Sequence, residues 1–164
     1  MLPEALVFWL VLEMPPAFLS GNDYNVKVLS KDVVVNAHPV QEHRLTLSNL
    51  DLTIPPVSVC VFLCYKKPTT RSVSSFAEEA THDLKCSLSE ALVYYYVFAG
   101  EMISNSSGEP ELLCNNQGVE FIEAVSNIGL AELDFYNPDK TVEGKLVPKL
   151  SKSSVFAIQV SFCV

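Results

Sequence analysis

Apolar and polar positions along the chain fall into three kinds of pattern. The first is helical. Leu84, Leu88, Ala91, Leu92, Tyr95 and Ala99 recur at the spacing of one helix face, and Lys85, Ser87, Ser89 and Glu90 lie off that stripe. This predicts a helix over Leu84–Gly100, opened by Thr81 or Asp83 as N-cap and closed by Gly100 in the left-handed conformation. The second pattern is the continuous apolar run. Val57 to Tyr65 places Val57, Val59, Val61, Leu63 and Tyr65 on one face and Ser58, Cys60, Phe62 and Cys64 on the other, which predicts an interior strand covered on both sides. Val155 to Val164 is a second such run and predicts another buried strand. The third pattern is short alternation. Val26 to Val35 reads as one strand, or two broken near Ser30-Lys31-Asp32, and Glu111–Asn115 and Val119–Val125 read as strands on either side of Gly118. Ser104 to Pro110 is a hairpin-type turn. Leu45–Asp51 and Thr69–Ser75 read as connections, Leu130–Phe135 as a helical turn stopped by Asn137-Pro138, and Thr141–Leu150 as a loop. A helix with strands before and after it predicts an α+β, two-layer α/β architecture: a mixed sheet with helix packed on it.

The N-terminal stretch stands apart. Ala5 to Leu12 is apolar but far shorter than the roughly 20 residues that span a bilayer. Glu4 and Glu13 flank it and no Lys or Arg precedes it, unlike the basic start of a signal peptide. Residues 1–21 are therefore read as an atypical N-terminal extension and residues 22–164 as the domain.

Bulk properties narrow the picture. A chain of 164 residues favours one domain, and 49% hydrophobic against 18% charged residues supports a real core. A formal net charge of -8, with no basic block beyond Lys66-Lys67, argues against nucleic acid or an anionic membrane as partner. Five cysteines form an odd set without a C-x-x-C pair, so they read as small hydrophobic thiols suited to the reducing cytoplasm.

Recognisable catalytic motifs are missing: there is no G-x-S-x-G elbow, P-loop or G-x-G-x-x-G. His38 and Glu42 are spaced as H-x-x-x-E, but Pro39 discourages a helix there, and His38 reads as a surface-loop histidine. His82, next to Asp83, reads as making a solvated local contact. Glu120 and Glu123 fall on opposite faces of a straight strand and do not make an acid/base pair. No metal site is expected. Asn105-Ser106-Ser107 matches the glycosylation sequon, which matters only for a chain that enters the secretory route.

An ordered set of short motifs is more telling. Leu47-Ser48-Asn49-Leu50-Asp51 is followed by Pro55-Pro56 and by the strand ending Tyr65-Lys66-Lys67-Pro68. Then come Leu84-Lys85-Cys86-Ser87-Leu88-Ser89-Glu90-Ala91-Leu92, Tyr94-Tyr95, Phe98-Ala99-Gly100, Gly108-Glu109-Pro110-Glu111-Leu112, Cys114-Asn115 and Gly118 to Ala124. From about Asn22 to Val164 this resembles the N-terminal half of the plant BAHD acyl-CoA-dependent acyltransferases, nearest to members acting on phenylpropanoid acceptors such as coniferyl alcohol or transferring hydroxycinnamoyl groups. The resemblance implies the CoA-dependent acyltransferase-like fold, no bound cofactor, acyl-CoA as co-substrate and a small-molecule alcohol as acceptor, in a cytoplasmic monomer. It also points to Ser58, Cys60 and Phe62, on one strand face, as positions for one wall of the acceptor pocket, with core packing as the alternative and favoured role for the three.

The departures carry expectations of their own. Val97 stands where the family usually has proline, and Glu101 where it usually has arginine. In the family a strand like Phe156–Phe162 leads into a Cys-Gly-Gly turn and then H-x-x-x-D-G, whose His is the general base. This sequence contains neither H-x-x-x-D nor D-F-G-W-G. The expectation is an incomplete N-terminal acyltransferase domain, inactive by itself and aggregation-prone, with the apolar strand at Val155–Val164 unpaired and exposed. Two other readings stay open: a binding or regulatory fragment that pairs with a full-length relative, and a small secreted β-rich protein.

Overall fold

A computed structural model describes residues 6–13, 24–54, 59–66, 73–129, 132–133, 142, 145–148, 150 and 153–163. Eight strands and one α-helix make up the architecture among them: β1 (Leu6–Glu13), β2 (Val26–Val34), β3 (His43–Thr46), β4 (Val59–Lys66), α1 (Val73–Tyr94), β5 (Glu101–Ser104), β6 (Pro110–Cys114), β7 (Val119–Ser126) and β8 (Phe156–Cys163). Short 3-10 turns occupy Asp51–Thr53 and Tyr96–Ala99. The main sheet is mixed, in the order β2-β7-β8-β1-β4; β2 runs antiparallel to β7, and β7, β8, β1 and β4 run parallel to one another. A smaller antiparallel sheet, β3-β6-β5, sits beside it. This is the expected α+β layering of helix on mixed sheet.

The helix is longer than its strongest stripe. Phe76, Ala77, Ala80, Leu84 and Leu88 pack against Phe121, Val160 and Phe162, so the buried face begins two turns before Leu84. Alanines contribute weakly to a hydrophobic pattern, which hides this first half. Thr81 is consequently no cap: it lies inside α1, buried, and its Oγ1 meets no hydrogen-bond partner among the described residues. At the other end the helix stops at Tyr94; Ala91 and Tyr95, both expected on the stripe, are exposed. Gly100 is extended (φ -91°), not left-handed. Its need for glycine is steric, since an added Cβ would stand 2.5 Å from the Leu113 carbonyl oxygen. Gly118 does take positive φ (98°), where β7 begins against β2. Val97, at the usual proline position, sits in the 3-10 turn, and Glu101 Oε1 accepts a 2.7 Å hydrogen bond from Asn115 Nδ2.

β2 is one strand with a bulge between Val28 and Ser30. The two apolar runs have opposite fates. β8 is interior: it pairs with β7 on one side and β1 on the other, and Ala157, Val160, Phe162 and Cys163 are buried. The expectation of an unpaired, exposed β8 is overturned because β1 occupies the flank left vacant in that reading. β4, expected to be covered on both sides, is instead an edge strand with Val59, Cys60, Cys64 and Tyr65 exposed. The predicted connection Thr69–Ser75 overlaps the start of α1, with 69–72 outside the described residues; Ser58 and most of 130–135 also lie outside them.

Two packed clusters flank the main sheet. One lies between the sheet and α1 and is built on Val34, Leu92, Ala99, Val119, Phe121, Val160 and Phe162. The other joins Tyr24, Ile128, Leu133, Val142 and Leu146, with Val26 and Phe62 against it. Buried Asn36 ties the end of β2 to the helix: its Nδ2 donates to the Leu92 carbonyl (2.6 Å) while its backbone N–H donates to Asn116 Oδ1 (2.9 Å).

Candidate functional site

By strand register, Cys60, Phe62 and Cys64 of β4 share one sheet face with Ala157, Gln159, Ser161 and Cys163 of β8 and with Ile122, Ala124 and Ser126 of β7. This is the face away from α1, because Phe156, Ile158, Val160 and Phe162 pack toward the helix and successive strand residues alternate sides. It carries a buried polar row. Gln159 Nε2 donates to Ser161 Oγ at 2.9 Å and to the Lys145 carbonyl at 3.2 Å. Ser126 is buried and its Oγ meets no hydrogen-bond partner among the described residues. Burying polar side chains costs free energy unless they are hydrogen-bonded, and Gln159 and Ser161 meet that requirement through one another.

The row runs from the middle of β8 at Gln159 toward the carboxyl ends of β8 and β7, where Ser126 is the last residue of its strand. Tyr24 stands over this end, with the Lys145 ammonium 4.4 Å from its ring centroid and donating to its carbonyl at 3.2 Å. Burial, with a smaller contribution from Cys163, pushes the Tyr24 phenol up to about 12, so it stays protonated at neutral pH. Of the three proposed pocket-wall residues, Cys60 is exposed and Phe62 is half-buried against the Tyr24 cluster, while Ser58 lies outside the described residues. Gln159 and Ser161 went unnoticed in the sequence. Their signal was two polar residues in an otherwise apolar run.

The face offers hydrogen-bond donors, acceptors and apolar contact, and at its near end the Glu120 carboxylate, level with Ala157, is paired with Lys31. His38 and His43 line a separate cleft of about 340 Å³ with Asn36, Gln41 and Tyr96, where His43 Nδ1 lies 2.8 Å from the Gln41 carbonyl oxygen. His38 is thus a cleft residue as well as a loop residue. His82 is on the exposed side of α1, its Nε2 3.6 Å from Cys86 Sγ, which replaces the expected contact with Asp83. Glu120 and Glu123 are on opposite faces, the first paired with Lys31 at 3.4 Å. Among the described residues no three His, Cys, Asp or Glu side chains cluster to hold a metal ion, and no helix is long and apolar enough to cross a membrane.

The Leu47–Asp51 motif has a local explanation. Ser48 donates to Asp51 Oδ2 from both its hydroxyl (2.7 Å) and its backbone N–H (3.0 Å), and Ser48 Oγ accepts from the Asp51 N–H at 3.2 Å. This reciprocal box opens the 3-10 turn and holds the Asp51 carboxyl below its ordinary range.

A sequence profile of the Transferase family matches residues 24–163. The chain belongs to the BAHD acyltransferase family. Putrescine hydroxycinnamoyltransferase 1 of Oryza sativa subsp. japonica is 31% identical over 140 residues, covering 84% of this chain and 31% of that protein. Omega-hydroxypalmitate O-feruloyl transferase of Arabidopsis thaliana is 33% identical over 133 residues, covering 79% of this chain and 28% of that one. The crystal structure of vinorine synthase superposes with a TM-score of 0.58 at 19% identity, over 85% of this chain and 35% of its own, which establishes the shared fold. The chain spans about a third of the length of these relatives. The plant acyltransferase resemblance and the BAHD fold expected from the sequence both hold, while β1 lies outside the matched residues.

Proposed function

We propose that this chain carries an acceptor-side wall of an acyl-CoA-dependent acyltransferase working in the cytoplasm on the hydroxyl of a phenylpropanoid-type small molecule. Cys60 and Phe62 form part of that wall, and Gln159 and Ser161 continue it across the sheet. In the complete reaction the acceptor oxygen attacks the thioester carbonyl, its proton passes to the family's histidine, and the CoA thiolate leaves. The observation that carries the reading is the family match across residues 24–163, with the buried polar row on the face that holds Cys60 and Phe62.

The same reading makes these 164 residues inactive alone. The general base of H-x-x-x-D is absent from the sequence, and His38, His43 and His82 all lie away from this face. A general base contributes roughly 10²–10⁴ in rate, and positioning contributes roughly 7–11 kcal/mol where both substrates are held. The test is to incubate the chain with a hydroxycinnamoyl-CoA and coniferyl alcohol and follow thiol release. Release at the blank rate is expected; saturable release that depends on the alcohol refutes inactivity. Acceptor binding is read separately: coniferyl alcohol is expected to slow maleimide modification of the exposed Cys60, and no protection at any soluble concentration removes the wall assignment.

A further inference from the structure

We propose that the gap between β8 and β4 is a strand-docking site, and that its occupant is this chain's own Leu6–Glu13. The family match begins at residue 24, so β1 is foreign to the matched core, yet it takes an inner place in the sheet. All eight of its residues are paired on both sides, from Leu6 level with Phe156 and Val59 to Glu13 level with Cys163 and Lys66. Within the matched core β8 and β4 are not neighbours; each hydrogen-bonds to β1 instead. Without β1 they face each other across two strand spacings, roughly 10 Å, each presenting unpaired N–H and C=O groups. Two parallel edges in matching register define a slot for one strand, running parallel to both.

The slot also states which strand it takes. A strand paired on both edges in a parallel sheet is best built as a continuous apolar run rich in β-branched and aromatic residues, which is what LVFWLVLE supplies over seven positions. Register is marked at the end of the run, where acidic Glu13 is level with basic Lys66. This is strand addition with the ligand covalently attached, so its effective concentration is high without any partner. The inference is independent of the acyl-transfer reading.

The register supplies its own test in the full chain. Val11 is level with Cys64 on β4, and Leu10 is level with Leu63 and Val160. Mild oxidation of the Val11→Cys variant is expected to give a disulfide to Cys64 within one chain, located by mass mapping of the non-reduced digest. Leu10→Cys is expected to give at least tenfold less cross-link under the same conditions. Equal yields from the two positions overturn the register and with it the slot; a link found only between chains overturns the choice of occupant. The second arm is the full chain carrying Leu10→Pro, which removes an inner N–H from β1, mixed with a synthetic LVFWLVLE peptide bearing a lysine tail. Recovery of the parent far-UV spectrum with stoichiometric peptide is expected. A soluble variant that ignores the peptide refutes a docking site, and if the variant aggregates the cross-link ratio decides alone.

Discussion

β8 and β4 are both eight-residue strands dominated by apolar side chains, and they flank the same neighbour. One is buried almost throughout, the other has exposed residues at each end. Their hydropathy does not explain this. β8 lies under α1 on one face and beside the Tyr24 cluster on the other, and has a strand on each side; among the described residues β4 has a strand on one side only, and its Phe62 packs against the Tyr24 cluster. The comparison teaches that an apolar run reports how much burial a strand tolerates, whereas its place in the sheet decides how much it receives. It also separates the roles: β8 is a structural axis that carries buried polar groups, and β4 is an accessible rim.

Matched substitutions put the sharpest pressure on that contrast. Phe162, 2% exposed, and Phe62, half-buried, are the same residue on the two strands. Phe162→Ala is expected to cost about 3–5 kcal/mol, and Phe62→Ala roughly 1–2 kcal/mol, in urea unfolding followed by circular dichroism. Equal losses would make β4 as interior as β8. Thiol reactivity probes the difference without changing the protein. Cys60, Cys64 and Cys86 are exposed and are expected to react promptly with a chromogenic disulfide, whereas Cys114 and Cys163 react only as the protein opens. Prompt reaction of Cys163 would place the end of β8 at the surface.

Smaller effects come from titration. The Tyr24 phenol is raised to about 12 in the folded protein, so its contribution is present below the unfolded value near 10 and is lost as pH rises toward 12. Absorbance at 295 nm should show a late-titrating component that Tyr24→Phe removes, and the same substitution should flatten the alkaline loss of stability. The smallest effect is expected at Asp32, on the helix side of the sheet, where Lys85 Nζ at 2.5 Å holds the carboxyl below its ordinary range. That contribution is present above about pH 4 and lost as pH falls through the folded value. Asp32→Asn should therefore make urea midpoints less steep in acid, by a margin limited by solvent screening of an exposed pair.

How far the sequence reached depended on the range of the interaction. The strands β2, β6, β7 and β8, the β5–β6 hairpin and the second half of α1 were legible because period, turn residues and burial agree within a few positions of each other. The ordered motifs named the family, since each reflects a local requirement such as the Ser48–Asp51 box or the close approach of Gly100 to Leu113. The first half of α1 was missed because Ala77, Ala80 and Thr81 dilute its stripe. What the sequence determined by itself was therefore the class of fold, the family and the identity of most elements. Only the tertiary structure decided that Leu6–Glu13 enters the sheet between β8 and β4, that β8 is enclosed and β4 left at the rim, and that Gln159, Ser161 and Ser126 meet on one buried face. Those outcomes depend on pairing between segments that lie far apart in the chain, Leu6 with Val59 and Phe156 and Glu120 with Ala157, where hydrogen bonds go to whichever edge lies alongside, and no local pattern encodes which edge that is.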